Sequence, residues 1–318
     1  MQREIKNDIL DQPVDHAKVT GGMDVDSLIR QLDGCAFGAG NLAEAVDIYF
    51  EMLSEGGTNF FGLAGAMVPA GMRTIITDLI RDGFIDVLVT TGSNMVHDIL
   101  ESLDLHHYKG TDAIDDVGLR HQEICRIHDV FLPEEHFIEF EEYLQSILLD
   151  MGKGKVSIRE LMSHIGSRLD DENSILKTAA DMDVPVYCPG IQDSMLGLQA
   201  LLYRQANQLE VDVFADMGEF LEICQDAEDA GAMILGGGVP KNYILQSMLS
   251  TPNEFSYAVQ LTMDSPQTGG SSGATLDEAR SWGMVGEDAM TVTVYSDATI
   301  TFPIMVAAVR SRLENSYI

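Results

Sequence analysis

Two stretches have the spacing that anion-binding chemistry asks for. One apolar run, Ile85 to Thr91, leads through Thr90-Thr91-Gly92-Ser93-Asn94 into a helical pattern, and a second, Ala232 to Leu235, leads through Gly236-Gly237-Gly238-Val239-Pro240 into another. A strand, a tight turn and a helix start aim backbone N–H groups at an anionic ligand and let the chain approach a pyrophosphate or ribose. Either turn alone is equally well explained by close packing; together they favour a nucleotide site. A third stretch, Ser272 to Gly283, joins a glycine loop, a short acidic helix and the only tryptophan, Trp282. Thr275 and Glu278 fit a capping box. A carboxylate beside an indole face is also a cradle for a polyamine, through ion pairing and cation–π contact, and both readings stay open.

Other candidates carry less. Gly38-Ala39-Gly40-Asn41-Leu42-Ala43 matches G-x-G-x-x-A, but it follows the helical pattern Leu28 to Leu32 instead of a strand, so it reads as a loop leading into a helix. Cys35, Cys125, Cys188 and Cys224 are too widely spaced for a zinc site and read as free thiols. His97, His106, His107, His121, His128 and His136 are loosely grouped without H-E-x-x-H spacing, so no metal is expected.

These residues need elements to position them. Strand-like runs at Asn59 to Leu63, Ile85 to Thr91, Val184 to Cys188, Ala232 to Leu235, Tyr257 to Thr262 and Thr291 to Tyr295 alternate with helical-period stretches. The helical stretches are Asn41 to Leu53, Pro69 to Arg81, Glu134 to Leu149, Ser157 to Leu169, Ser194 to Gln208, Asp216 to Asp229 and Pro303 to Leu313. Such alternation predicts an α/β fold: a Rossmann-like, doubly wound, mostly parallel sheet with helices on both faces. No stretch reads as a linker, so residues 21–318 are expected to form a single domain behind a polar arm, residues 1–20.

Nineteen basic residues against 51 acidic ones give a formal charge of −32. That surplus opposes binding to nucleic acid or to an anionic membrane. Its even spread suggests a surface adapted to high salt, as in a halophilic source. The first residues lack an apolar segment of the kind a signal peptide needs, and the expected location is cytoplasmic.

Taken together, Gly62 to Arg73, Val87 to Thr91, Val130 to Glu135, Pro185 to Pro189, Asp193, Ile234 to Lys241, Tyr257-Ala258-Val259, Ser272 to Gly283 and Asp297-Ala298 resemble deoxyhypusine synthases of the archaeal and bacterial branch, in order and over nearly the whole chain. The resemblance implies an NAD-binding fold assembled as a homotetramer with active sites at subunit interfaces. It also implies transfer of a 4-aminobutyl group from spermidine to a lysine of the precursor of the hypusine-containing translation factor, by way of an enzyme lysine that forms a Schiff base. NAD contacts then map to Thr90, Thr91, Gly92, Asp193, Gly237, Gly238, Thr262, Asp297 and Ala298. Polyamine contacts map to Glu278 and Trp282.

The chain departs from the pattern on the amine side. Val96-His97 stand where the eukaryotic pattern has two glutamates, Asn242 replaces a histidine, Leu198 replaces an aspartate, and Met284 replaces the catalytic lysine. A thioether cannot form a Schiff base. Lys241 is the nearest substitute, although a structural contact at a helix start accounts for it as well. Two alternatives follow: homospermidine-like transfer to a free amine, or a catalytically silent NAD-binding subunit.

Overall fold

The computed structural model describes residue 10 and residues 12–316. Of the expected arm, residues 12–20 form no helix or strand and are exposed, with Asp15 N donating to Gly34 O at 2.8 Å and Lys18 N to Gln31 Oε1 at 3.2 Å; residues 1–9 and 11 lie outside the described residues.

Local signals set the element ends. Helix α1 (Val25–Leu32) starts at Asp24, whose carboxylate accepts from Ser27 N, and α2 (Gly38–Glu55) stops at Gly56, where φ of 75° suits a residue without Cβ. Then come β1 (Asn59–Leu63), α3 (Arg73–Arg81), β2 (Val87–Thr90) and α4 (Gly92–Ser102), the last capped by the Thr91 side chain. An excursion follows through β3 (Tyr108–Lys109), α5 (Asp116–His121), β4 (Ile124–Ile127) and β5 (Val130–Pro133). The middle of the chain supplies α6 (Glu135–Met151), β6 (Gly154–Ser157), α7 (Ile158–Gly166), α8 (Ile175–Asp181), β7 (Val186–Tyr187), α9 (Met195–Ala206), β8 (Leu209–Asp212) and α10 (Asp216–Asp226). The last part holds β9 (Gly231–Leu235), α11 (Gly238–Met248), β10 (Phe255–Thr262), α12 (Leu276–Ser281), β11 (Val285–Tyr295) and α13 (Ala298–Ser316).

Six strands form one sheet in the order β11-β10-β9-β1-β2-β7, every pairing parallel. From the β7 edge, and numbering only these strands along the chain, the order is 3-2-1-4-5-6, that of doubly wound dinucleotide-binding folds, and it reverses between β1 and β9. Strands β1 and β9 are buried at every position because helices cover both faces. Strand periodicity sends Phe61, Leu63, Met233 and Leu235 into the core cluster that includes α2 and α13 residues, and Phe60, Ala232 and Ile234 into the one shared with α10, α11 and α12. Phe60 meets Phe220 and Phe255 edge-on, with centroids 5.9 and 5.5 Å apart.

The predicted sheet and its helical cover are present; several boundaries differ. Helix α3 begins at Arg73 instead of Pro69, because turns occupy the preceding residues, with Ala70 N on Ala66 O and Gly71 N on Val68 O, both at 3.0 Å. Helix α13 begins at Ala298, before Pro303, which lies inside it. Proline removes one helical hydrogen bond there, while the buried Phe302, Met305, Val306 and Val309 hold the helix on the sheet. A three-stranded antiparallel sheet, β3-β5-β4, and the parallel pair β6-β8 were not expected from the apolar runs, their strands being short and partly exposed. No helix of the described residues is long and apolar enough to cross a membrane.

The surplus of acidic charge makes one prediction. Urea midpoints are expected to rise from low salt to about 1 M NaCl, where the Debye length falls to roughly 3 Å. A flat or falling trend would contradict a salt-adapted surface.

Candidate active site

Every residue expected to contact NAD lies on the carboxyl edge of the sheet, contributed by every strand but β1. Thr90 ends β2; Thr91 and Gly92 open α4; Asp193 follows β7; Gly237 and Gly238 open α11; Thr262 ends β10; Asp297 and Ala298 open α13. At Gly92 a Cβ would stand 2.3 Å from Ser194 Oγ, so its absence lets α4 start against the turn that carries Asp193. Gly236 and Gly238 have φ of 74° and 57°, and a Cβ on Gly237 would lie 2.6 Å from Ser272 Cα. Helix α11 has no side-chain cap, which leaves N–H groups at its start. Asp193 and Asp297 are exposed. The Thr90 hydroxyl donates to Leu63 O at 3.0 Å and so fastens β2 to β1.

Beside this edge is a cavity of roughly 550 Å³ whose lining includes Lys241, Asn242, Glu278, Trp282 and Met284. The structure therefore assembles all the expected amine-side residues except His97. Thr275 Oγ1 accepts from Glu278 N at 3.1 Å, but the reciprocal half of the capping box is not formed, and among the described residues the Glu278 carboxylate has no hydrogen-bond partner. Trp282 is 62% exposed at the rim, and Met284 lies partly buried against the α11–α12 core. Asn242 donates to Gln246 Oε1 at 2.9 Å.

Lys241 is spent on structure. Its side chain is buried, and Nζ donates to Gln260 Oε1 at 2.8 Å and to Ala274 O. Gln260 Nε2 in turn donates to Gly236 O at 2.8 Å and Ser272 O at 2.9 Å. This pair ties the glycine turn after β9 to the loop that walls the cavity. Burial pushes the Lys241 ammonium down to about 8, partly offset by Glu278. Gln260 was missed from sequence; its one signal is an amide inside the apolar run Tyr257 to Thr262.

His97 sits elsewhere, buried on α4 against His107, with ring centroids 4.8 Å apart. Burial and then His107 push it down to about 4, against the pull of Glu101. The cysteines are free, and no group of His, Cys, Asp and Glu among the described residues could hold a metal ion.

Comparison with known proteins gives the family and the fold. A family model, "Deoxyhypusine synthase", matches residues 27–309. The chain is 67% identical over 305 residues to "Probable deoxyhypusine synthase 1" of Methanosarcina acetivorans, covering 96% of each. It is 43% identical over 299 residues to a protein of the same name from Archaeoglobus fulgidus, covering 94% of this chain and 98% of that one. A solved structure from Entamoeba histolytica, described as a "putative deoxyhypusine synthase", shares the fold with TM-score 0.67 at 20% identity, covering 91% of this chain and 94% of the other. By sequence over nearly its whole length, the chain belongs to the deoxyhypusine synthase family.

Proposed function

We propose that the chain uses NAD to oxidise spermidine and passes the 4-aminobutyl group to a lysine of the hypusine-containing translation factor precursor. The family supports spermidine-dependent aminobutyl transfer. The observation that carries the cofactor and amine chemistry together is the Gly237–Ser272 approach, which sets the edge of six parallel strands directly against the loop of the Glu278–Trp282 cavity.

The residues fit NAD. Gly237 has no room for a Cβ, Gly236 and Gly238 take positive φ, and the turn leads into an uncapped helix start, suited to a pyrophosphate, while the exposed Asp193 and Asp297 suit ribose hydroxyls. When bound, NAD supplies the acceptor for the hydride. Glu278 holds one ammonium group of the amine by charge and hydrogen bond, and the Trp282 face covers the alkylammonium. Met284 offers no amine, so the acceptor amine attacks the substrate imine directly, without an enzyme-bound carrier. A homotetramer is the assembly we infer, and Trp282 and Phe214, 62% and 73% exposed, are side chains that subunit interfaces would cover.

Two outcomes follow. Borohydride trapping during turnover, read by peptide mass spectrometry, is expected to show no aminobutyl adduct at Met284 or Lys241; an adduct on Lys241 would make that lysine the carrier and overturn its clamp role. Glu278→Gln is expected to raise the KM for spermidine roughly 10- to 100-fold through loss of a charge-assisted bond of about 1.5–3 kcal/mol. An unchanged KM would remove Glu278 from the amine site.

Mass spectrometry of products from NAD and spermidine, with either the precursor or putrescine, tests the acceptor. Aminobutylated precursor supports the proposal, and homospermidine from putrescine supports a free-amine transferase, which a cavity with Met284 and a hydrogen-bonded Lys241 equally permits. A silent subunit is the reading favoured if neither forms.

A further inference from the structure

A second cavity, of roughly 610 Å³, adjoins the amine cavity: Asn242, Gln246 and Ser271 line both. It lies between the end of β7 and the starts of α10 and α11, where Tyr187, Asp216 and Val239 form part of its wall. Its size is that of a small-molecule site. Glu278 is the one carboxylate in the lining of the first cavity and Asp216 the one in the second, and no lysine, arginine or histidine lines the second. Ile158, Val213, Phe214 and Leu221 give it an apolar wall.

Asp216 is 4% exposed, and among the described residues no side-chain cation pairs with it. Its carboxylate accepts from Arg159 N, at 3.2 Å on Oδ1 and 3.1 Å on Oδ2, while the Arg159 guanidinium goes to Glu219, with Nε 3.3 Å from Oε1. Burial leads in raising the Asp216 pKa, and the Ser157 hydroxyl and the Arg159 N–H pull against it. A buried carboxylate without a counter-ion is costly, and a cation arriving in the cavity lifts that cost. In the same wall Tyr187 is 1% exposed, and its enclosed hydroxyl has no hydrogen-bond partner among the described residues. The wall therefore holds an unpaired charge and an unspent polar atom.

We infer that the two cavities form one cleft and that Asp216 pairs with the second terminal ammonium of the polyamine, the first being held by Glu278. The inference rests on the spermidine reading proposed above. Spermidine carries a primary ammonium at each end, and the Glu278 cavity offers a carboxylate to only one of them. The apolar wall of the second cavity takes methylene groups, and the neutral Asn242, Gln246 and Ser271 line the passage between the two carboxylates, so no fixed positive charge there repels the chain. Asp216 also fixes the start of α7 through Arg159 N. A carboxylate with that role alone would not tell amines apart by their ends, so the test must read which end is recognised.

The experiment titrates the full chain and Asp216→Asn, both loaded with NADH so that no amine is oxidised, with spermidine and with two analogues that each lack one terminal amine, N-propyl-1,4-diaminobutane and N-butyl-1,3-diaminopropane. Asparagine keeps an oxygen for Arg159 N and removes the charge. The variant is expected to bind spermidine on the order of 10- to 100-fold more weakly, the loss of a charge-assisted bond. It should bind one of the two analogues within about twofold of wild type, because that analogue lacks the ammonium Asp216 would hold. Wild-type affinity for spermidine in the variant, an equal loss for all three amines, or no binding of spermidine by the wild type would overturn the inference. If Asp216→Asn does not fold, Met217→Lys puts a cation on the partly exposed rim of the same cavity; it should weaken spermidine binding at least 10-fold by repelling the same ammonium, and unchanged binding would overturn the inference. Binding needs no turnover, so Asp216-dependent binding without NADH formation from NAD would support the second anchor and sink the amine oxidation alone.

Discussion

Asp98→Ala is expected to destabilise the protein by roughly 3–5 kcal/mol, the range for removing one partner of a buried charge pair. Asp98 is 0% exposed and ties three helices together. From α4 it accepts Arg73 Nε of α3 at 2.6 Å, and it accepts Ser174 Oγ, Ile175 N and Leu176 N at 2.8, 3.0 and 2.9 Å at the start of α8. Alanine leaves the Arg73 guanidinium with Asp171 as its remaining charged partner and strips the first turn of α8 of its acceptor. Because α4 also carries Thr91, Gly92 and His97, weakened NAD binding should accompany the loss. Urea unfolding measures it, and a change under about 1 kcal/mol would show that α4 is held by apolar packing alone.

Acid should destabilise the protein in a window set by His97. Its folded pKa is about 4, below the unfolded value of 6.5, so between those values the unfolded chain binds a proton that the folded chain refuses. Stability attributable to this group is therefore unaffected above pH 6.5 and falls on the order of 3 kcal/mol by pH 4. His97→Gln should remove that part of the slope, read as the difference between wild-type and variant urea curves. Glu101 acts in a separate window: its folded value of about 2 lies below the unfolded 4.5, so its contribution is whole above pH 4.5 and is lost as pH falls toward 2. Parallel curves for wild type and His97→Gln from pH 6.5 to 4 would contradict a buried neutral imidazole.

Local chemistry made much of the site legible. Glycines at 92, 236, 237 and 238 announced their turns because each either approaches another segment too closely for a Cβ or takes a positive φ, and both demands are written in residue type. Strand β1 matches its predicted bounds because its apolar run is buried end to end. Lys241 was ambiguous in sequence, since its partners Gln260 and Ala274 lie 19 and 33 residues away and only the fold brings them together. The His97–His107 contact spans ten residues through a bend after α4 that no periodicity encodes. Glu278 showed the reverse: the motif suggested a reciprocal cap, and the structure leaves its carboxylate to the cavity.

The central claim is that a chain with methionine at 284 still oxidises an amine with NAD. Its most direct test is the appearance of NADH when the purified protein is mixed with NAD and spermidine and no other acceptor. NADH should form, and formation should fall sharply in Glu278→Gln at subsaturating spermidine. Bound NAD without NADH from any polyamine would contradict the claim and leave the chain a cofactor-binding subunit.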